Sequence, residues 1–450
     1  MAQKDLSRRS AMAAGTALAA VTLASPAVHG QNMPALRCAF WDHWVPTGNN
    51  AMRQLCGQWG ERNRVNVQLD FINTTGNQLQ LTAAAQAQSR SGHDIISLAP
   101  WDVGSYADQL EPVDDVMARL SAKYGPPNAA AEFLAKQRGS WRAVPATSGT
   151  QNKPACVRFD LMQEHAGLDV RAMWPAENRK GPGADNWTWE TFLTAAEACH
   201  KAGFPFGLPM GQFTDAVDWV GALFASYGAR VTDERGMPTV RNNPQLRTVI
   251  EYGVRLSRFL PNDVWAWDDA SNNRALISGR SALVFNPPSA WAVAKRDAPQ
   301  VSERCWTIPM PAGPQGRFLA YLPWNSAIWA FGRNKNQAKA LLEFLSERES
   351  AEITTNTSNG YDIPPFATMT DFKIWETEGP PVGTVFNYPL KPHHDARPNI
   401  AFAPAPPELA AQMYIQALNT KVIARVAQGG ETVDAALTWL EREINSMRRG

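Results

Sequence analysis

The stretch from residue 35 to residue 98 alternates apolar runs of strand length with stretches that have a helical pattern. Ala35 to Trp41 is a short apolar run, and from Val65 to Ile72 apolar and polar residues alternate with a period of two, which predicts a half-exposed strand. Asn50 to Arg62 and Leu79 to Gln88 lie between these runs and predict helices, and Asp94 to Leu98 predicts a short buried strand. The order strand, helix, strand, helix, strand is that of a parallel α/β sheet.

The loops that follow two of these strands pair aromatic rings with a carboxylate. One is Trp41-Asp42-His43-Trp44 and the other is Pro100-Trp101-Asp102. Loops at the carboxyl ends of parallel strands form the binding crevice of such sheets. We therefore expect both loops to face a ligand.

A second set of elements follows Pro145. Trp189 to Ala202 is predicted to be a helix with Thr188 as its N-cap, and Val217 to Tyr227 a helix closed by Gly228. Further strands are predicted at Ser281 to Phe285 and Ser326 to Phe331, and further helices at Asn336 to Glu347 and Val433 to Met447. Trp306 to Gly316, rich in Pro and Gly, is interpreted as a crossing between lobes, and Pro364 to Pro406 as mostly loop.

Composition narrows the ligand class. Lys and Arg number 43 against 42 Asp and Glu, so the chain lacks the cationic surplus that nucleic-acid binding requires. The 450 residues include 17 Trp, more than an apolar core needs, so part of this excess is expected to face a ligand. Six of them lie in or beside apolar periodic segments and are assigned to packing: Trp59, Trp141, Trp174, Trp306, Trp329 and Trp439.

Several Trp residues stand next to a carboxylate or an amide: Trp41-Asp42, Trp101-Asp102, Asp218-Trp219, Trp267-Asp268 and Trp324-Asn325. A sugar offers an apolar face that packs on a ring and hydroxyls that hydrogen-bond to carboxylates and amides. This combination of side chains indicates a carbohydrate site.

The N-terminus has the pattern of an export signal. Ser7-Arg8-Arg9 precedes an Ala-rich apolar stretch, Ala11 to Ala24, and a small-residue ending, which together predict a signal peptide over residues 1–30. The Arg pair and the weakly apolar stretch resemble a twin-arginine signal. Cys38 lacks the small-residue context of a lipid-modified cysteine. We expect a protein that is free in the periplasm after cleavage of the signal.

Motifs for cofactor or metal chemistry are absent from the sequence. It contains no G-x-G-x-x-G after a strand, no G-x-x-x-x-G-K-[ST], no H-E-x-x-H and no G-x-S-x-G, so no cofactor is predicted. His393-His394-Asp395 is interpreted as a polar loop and not as a metal site, and Asp268-Asp269 as a solvated turn and not as a glycosidase pair. The five Cys have no C-x-x-C spacing, and the sequence does not decide whether any pair forms a disulfide.

Several segments together resemble the family 1 extracellular solute-binding proteins, the family of the maltose-binding protein. The similar segments follow the family's order along the chain: Ser91 to Ile96 with Ala107 to Pro112, Trp141 to Pro145, Asn186 to Phe192, Ile277 to Leu283, Asn336 to Ser346, and Gly429 to Leu437. The resemblance implies an α/β fold of the periplasmic-binding-protein type, with two α/β lobes joined by a hinge and the ligand in the cleft between them. It also implies delivery of the ligand to the permease of an ABC importer by a monomeric protein without catalytic activity.

On this resemblance the N-lobe comprises residues 31–145 and 307–360, and the C-lobe residues 146–306 and 361–450. The ligand-binding residues that it implies are Trp41, Asp42, His43, Trp44, Trp101, Asp102, Asp215, Trp219, Asn286, Ser289, Trp291, Trp324, Asn325 and Tyr361. After the Ser281 to Phe285 strand the chain departs from the family pattern, so either Trp291 or Ser289 is expected to face the ligand.

Two other functions remain open at this point. Glycerol-phosphate or another small anionic solute would need Arg or Lys in the cleft loops, which carry Asp and Trp instead. A secreted polysaccharide hydrolase or lyase would need an acid and base pair at a justified spacing, and the sequence offers none.

Overall fold

Fourteen strands and nineteen α-helices are found in the part of the chain that the computed structural model describes, residues 33–176, 180–241, 243–286, 289–379 and 396–449. The predicted signal peptide and the His393-His394-Asp395 segment lie outside these residues. The strands are β1 Ala35–Trp41, β2 Asn66–Ile72, β3 Ile95–Leu98, β4 Lys136–Gln137, β5 Ser140–Trp141, β6 Val144–Pro145, β7 Gln151–Lys153, β8 Ala155–Arg158, β9 Leu283–Phe285, β10 Cys305–Ile308, β11 Ala312–Gly313, β12 Gly316–Leu322, β13 Asn325–Ile328 and β14 Ala396–Asn399.

The helices connect and cover these strands. They are α1 Pro46–Asn63, α2 Gln78–Ser89, α3 Asp102–Tyr106, α4 Asp114–Tyr124, α5 Ala129–Ala135, α6 Phe159–Ala166, α7 Val170–Met173, α8 Trp189–Lys201, α9 Thr214–Tyr227, α10 Pro244–Ser257, α11 Ser271–Ile277, α12 Ser289–Asp297, α13 Pro299–Ser302, α14 Lys335–Leu345, α15 Arg348–Thr357, α16 Ile374–Thr377, α17 Pro407–Ile415, α18 Leu418–Ala427 and α19 Val433–Met447.

The largest sheet has five strands in the order β2-β1-β3-β13-β6. The strand β1 pairs in parallel with both β2 and β3, so the predicted parallel arrangement of the first three strands is confirmed. The alternation in β2 is confirmed as well, since exposed and partly buried residues follow one another along it. The strand β13 runs antiparallel to β3 and β6, which brings residues 325–328 back beside the first strands of the chain.

Two smaller sheets are built from the middle of the chain. The strands β10, β8 and β9 pair antiparallel. The strand β12 pairs with β7 and β11 antiparallel and with β14 in parallel. The stretch 306–316, interpreted as a crossing between lobes, contains strand residues at 306–308, 312–313 and 316. Residues 305–308 complete the β8 sheet before Pro309 and Pro311 remove the backbone donors needed to continue.

The predicted helix ends are confirmed at two helices. The Thr188 side chain accepts a hydrogen bond from the backbone N–H of Thr191 at 3.3 Å, which caps α8. Helix α9 ends at Gly228, whose φ of 70° is accessible to glycine at no steric cost. It begins at Thr214, three residues before the predicted start, which places Asp215 on the helix and not in the loop before it.

Most of the Trp side chains pack in two large apolar clusters. Trp174, Trp187, Trp189 and Trp219 lie in the larger cluster, and Trp59, Trp291 and Trp375 in the second. Trp329 lies in a third, smaller cluster and is 0% exposed, which agrees with its assignment to packing from the sequence. Within the described residues, no helix has the length and apolar character needed to cross a membrane.

Candidate functional site

A small cavity lies where the carboxyl ends of β1 and β3 meet the first turn of α9 and the end of β9. It is lined by Trp41, Trp44, Thr74, Gln80, Ala99, Pro100, Gln151, Thr214, Asp215, Asp269, Asn273, Asn286, Ser289, Leu322 and Trp324. We call it the inner cavity. Its volume of about 40 Å³ has room for a few water molecules and not for a sugar ring, so this conformation is nearly closed at that point.

Aromatic rings form one wall of the inner cavity. Trp41 and Trp324 stack with ring centroids 5.0 Å apart, and Trp44 meets Trp41 edge-on at 6.4 Å. Tyr361 packs behind Trp41 at 6.5 Å with its side chain fully buried. The wall is therefore rigid and apolar, as a surface that packs against a sugar face requires.

Polar atoms without a partner accompany this wall. Trp41 and Trp324 are 4% and 5% exposed, and the Nε1 of each has no hydrogen-bond acceptor. The Oε1 atoms of Gln80 and Gln151 also lack a donor. A buried polar group without a partner costs about 1–3 kcal/mol, so these four atoms would gain from hydrogen bonds to a ligand or to water in the cavity.

A buried lysine organises the opposite wall. Lys153, in β7, is 1% exposed, and its Nζ lies 2.5 Å from Asp215 Oδ1 and 2.6 Å from Asp218 Oδ2. Burial opposes the lysine charge, but the two carboxylates outweigh it and raise the pKa of Lys153. Asn272 donates to the other oxygen of Asp215 at 2.6 Å, and Tyr414 donates to Asp218 at 2.8 Å. The ammonium group of Lys153 is thus fully engaged by protein carboxylates.

The rest of this wall is a hydrogen-bonded set of amides and hydroxyls. Asn286 donates to Asn273 at 2.8 Å, and Ser289 donates to Asn286 at 3.0 Å. The Asp269 carboxylate accepts from the backbone N–H of Asp215 at 3.0 Å. Burial, and then the charge of Asp215, raises the pKa of Asp269 to about 7.

A larger chamber adjoins the inner cavity and shares Gln80, Ala99, Pro100, Thr214 and Asp269 with it. We call it the outer chamber; its volume is about 420 Å³. Its remaining lining residues are Asn77, Leu81, Ala84, Trp101, Asp102, Ser105, Tyr106, Gln212, Phe213, Val217, Tyr414 and Ile415. A space of this size falls in the range of small-molecule sites.

Trp101 and Asp102 both line the outer chamber. The Trp101 ring stacks on Tyr414 with centroids 4.4 Å apart and is 4% exposed, so one of its faces is covered by protein. Asp102 is partly buried, and this burial raises the pKa of its carboxyl to about 7. Trp101 lies in the loop after β3 and Asp102 begins α3, so both reach the chamber just after the carboxyl end of β3.

The structure brings seven of the predicted site residues to the inner cavity and two to the outer chamber. Those at the inner cavity are Trp41, Trp44, Asp215, Asn286, Ser289 and Trp324, with Tyr361 directly behind Trp41; Trp101 and Asp102 line the outer chamber. Of the two alternatives after β9, Ser289 lines the inner cavity, while Trp291 packs in an apolar cluster with Lys295 over its ring.

The other predicted residues support the site from behind. His43 Nδ1 accepts from the backbone N–H of Val45 at 2.9 Å, so Nε2 carries the proton and donates to Asp362 at 3.1 Å. The Asp42 carboxylate accepts from Asn49 at 2.6 Å, and Asn325 is fully buried in β13.

Trp219 lies in the core, 1% exposed. Its Nε1 donates to Pro209 O at 2.7 Å, and its ring lies 6.5 Å from that of Trp189 in α8. Trp219 is not among the lining residues of the inner cavity or the outer chamber.

Sequence reasoning missed several polar residues of the site. They include Gln80, Gln151, Lys153, Asp269 and Asn273, and Thr74 and Thr214 also line the inner cavity. The polar run Gln151-Asn152-Lys153 stands directly before the apolar stretch 154–157, and its three residues are buried together in β7. Asp268 does form a turn, with its carboxylate held by Ser271 at 2.6 Å and Arg274 at 2.9 Å, but Asp269 points to the cavities.

Comparison with known proteins gives a family. The family model for bacterial extracellular solute-binding proteins matches residues 45–352. The chain belongs to the bacterial extracellular solute-binding proteins. No curated protein sequence matches it at a significant level.

Solved structures show the fold of this solute-binding protein. It is similar to maltose-bound MalE3 of T. maritima, with a TM-score of 0.71 and 16% identity over 92% of this chain and 99% of that one. It is also similar to a sugar transporter protein of Arthrobacter chlorophenolicus A6 with bound laminaribiose, with a TM-score of 0.70 and 14% identity over 92% of this chain and 99% of that one. The GacH receptor of Streptomyces glaucescens has a TM-score of 0.64 and 20% identity over 92% of this chain and 98% of that one. The predicted fold class, two α/β lobes of the periplasmic-binding type, is confirmed.

Among the residues that the structure describes, no group of three or more His, Cys, Asp or Glu side chains is arranged to hold a metal ion. All five cysteines are buried and free.

Proposed function

We propose that this solute-binding protein binds a carbohydrate or related polyol in the inner cavity and outer chamber and delivers it to the permease of an ABC importer. The observation that carries the proposal is the pairing of the stacked Trp41 and Trp324 rings, whose indole N–H groups lack acceptors, with a wall of amides and carboxylates. Sugar faces and sugar hydroxyls complement these two surfaces. The similar proteins with bound maltose, laminaribiose and acarbose support the same ligand class.

We further propose export to the periplasm by a twin-arginine signal over residues 1–30, and a monomeric mature protein. The lobes are proposed to comprise residues 31–145 with 307–360, and 146–306 with 361–450. Closure of the lobes on the ligand follows from this division, and the small volume of the inner cavity is the volume expected of a nearly closed cleft.

An anionic solute is not supported by the site. Lys153 is the cation next to the inner cavity in the described part of the chain, and two carboxylates already hold its ammonium group. A hydrolase is not supported either, because Asp268 is tied into its turn by Ser271 and Arg274.

The test is a thermal-shift screen of the purified protein against neutral sugars, polyols, their phosphates and amino sugars. A true ligand at 100 times its dissociation constant adds about 2.7 kcal/mol of stability, which raises the melting temperature by several degrees. Stabilisation by phosphorylated compounds alone would contradict the proposal.

A further inference from the structure

The outer chamber has an unbalanced charge. Its described lining includes the carboxyl groups of Asp102 and Asp269 and no Lys, Arg or His. Neither carboxyl group has a basic nitrogen within 4.0 Å in the part of the chain that the structure describes. A ligand that enters this chamber therefore meets two carboxyl groups that, among the described residues, form no direct ion pair with a protein cation.

The neighbours of Asp269 increase this imbalance. The groups that face it are Lys153, Asp215, Asp218 and Tyr414. Lys153 contributes one positive charge, and the two carboxylates that hold it contribute two negative charges. An ionised Asp269 adds a third negative charge to a site that already carries an excess of one. Water screens this charge poorly where the group is partly buried.

The Asp102 carboxyl group stands in a similar position. It is partly buried, and it interacts with the Tyr106 hydroxyl, which carries no positive charge. Burial raises the pKa of both carboxyls to about 7; at Asp269 the charge of Asp215 adds to this rise, and the charge of Lys153 offsets it only in part.

A second observation, independent of charge, points to a ligand at this site. The inner cavity, which shares Asp269 with the outer chamber, is lined by Trp41 and Trp324; both residues are more than nine-tenths buried, and their indole N–H groups have no acceptor. These donors need an acceptor such as a hydroxyl or ring oxygen. At the mouth of the outer chamber, Leu81 and Ile415 are 63% and 53% exposed and offer apolar surface.

We propose that the ligand is an amino sugar, with its ring oxygens and hydroxyls at the inner cavity and a protonated amine in the outer chamber against the carboxylates of Asp269 and Asp102. The inference rests on the proposed carbohydrate function and narrows it. An ammonium group supplies the missing counter-charge, and hydrogen bonds to charged groups are about twice as strong as neutral ones.

The experiment is calorimetric titration of matched probes at pH 7.5. Glucosamine, galactosamine and the deacetylated dimer of chitosan are each compared with their N-acetylated forms, which keep the ring and lose the charge, and with glucose, galactose and cellobiose. We expect at least one amine to bind tenfold or more tightly than both of its neutral counterparts. 1,4-Diaminobutane, an amine without a sugar ring, is expected to bind at least tenfold more weakly than that amine.

The variants test the residues. Asp269→Asn keeps an oxygen that accepts from the backbone N–H of Asp215 and removes only the charge. It should weaken amine binding about 10- to 150-fold and weaken the binding of neutral sugars by a clearly smaller factor. Asp102→Asn should also reduce the preference of the protein for amines over neutral sugars. This variant serves as the test if Asp269→Asn does not fold. Glu164→Gln, which removes an exposed carboxylate on α6, is the matched control and should change neither affinity.

The outcomes separate the inference from the proposed function. Neutral sugars that bind as tightly as the amines would overturn the inference and leave the carbohydrate function standing. If none of the sugars binds, or if the diamine binds as tightly as the amino sugars, both the amino-sugar inference and the proposed carbohydrate function are contradicted. The inference would also be overturned if an amino sugar binds and its affinity is the same in wild type, Asp269→Asn and Asp102→Asn.

Discussion

The indole rings of Trp41 and Trp324 stack on each other 5.0 Å apart with an angle of 22° between their planes, although one ends β1 and the other precedes β13. Both belong to a small cluster with Leu79, Leu322 and Tyr361. The pair thus forms part of the protein interior and part of the cavity wall. Substitutions here must be chosen so that stability and ligand binding can be told apart.

Trp324→Phe separates the two roles. Phenylalanine keeps a ring for the stack and removes the unpartnered N–H, so we expect a free energy of unfolding within about 1.5 kcal/mol of wild type and a loss of sugar affinity of about 3- to 10-fold. Trp324→Ala should cost about 3–5 kcal/mol of stability. Urea unfolding and calorimetry give the two quantities. Unchanged affinity in Trp324→Phe would mean that this N–H does not face the ligand.

Lys153→Met should be strongly destabilising. It leaves the carboxylates of Asp215 and Asp218 buried without their cation, which costs about 3–5 kcal/mol of unfolding free energy. The double variant with Asp218→Asn should recover part of this loss, because one of the unpaired charges is removed. Lys201→Met, at an exposed pair with Glu197, is the control and should cost less than about 0.5 kcal/mol. An equal loss of unfolding free energy in Lys153→Met and Lys201→Met would contradict the stabilising role of the buried Lys153 ion pairs.

Stability should fall as pH rises from 5 to 8. The raised pKa of Asp269 means that the folded protein holds a proton that the unfolded chain has already released above pH 4, so raising the pH favours the unfolded state. The raised pKa of Asp102 also makes the folded state less stable as the pH rises. Each group contributes at most about 1.4 kcal/mol per pH unit, reduced by its partial exposure. Urea unfolding at several pH values should therefore give a shallower pH slope for Asp269→Asn than for wild type.

The cysteine thiols should be unreactive in the native protein. All five are buried, and burial raises the pKa of Cys56 and of Cys199 to about 12, so almost no thiolate is present at neutral pH. A thiol reagent should label none of them quickly in buffer and five in denaturant. Labelling of only three in denaturant without reductant would show a disulfide, for which Cys156 and Cys305, whose side chains are in contact, are the first pair to examine.

Export is tested by changing Arg8 and Arg9 together to Lys. A twin-arginine receptor reads the pair as an address and not merely as positive charge, so precursor should accumulate in the cytoplasm. Cell fractionation measures this directly. An undiminished periplasmic yield would show that another route exports the protein.

Much of the first sheet could be predicted because its signals are local. The alternation in β2 and the apolar run of β1 set the strands, and the loops after β1 and β3 then had to lie at the same sheet edge. Most of the aromatic site residues followed from this placement. Trp44 and Trp101 are examples.

The parts that escaped prediction depend on contacts between distant segments. Asp269 reaches the site because its carboxylate accepts from a backbone N–H of α9, and Trp101 is covered on one face by Tyr414 of α17. No sequence pattern near residue 269 or residue 101 predicts these contacts with α9 and α17. Trp219 packs in the core from α9, and which side of a helix faces the core depends on the distant segments that pack against it.

The most direct test of the account is a crystal structure of the protein with the sugar that binds most tightly in calorimetry. The account predicts that the inner cavity is wider in the complex than in this conformation. The sugar should lie between Trp41 and Trp44 on one side and Asn286, Ser289 and Asp269 on the other, with ring oxygens or hydroxyls accepting from the indole N–H groups of Trp41 and Trp324. A sugar bound away from the inner cavity and outer chamber, with those N–H groups still without acceptors, would contradict it.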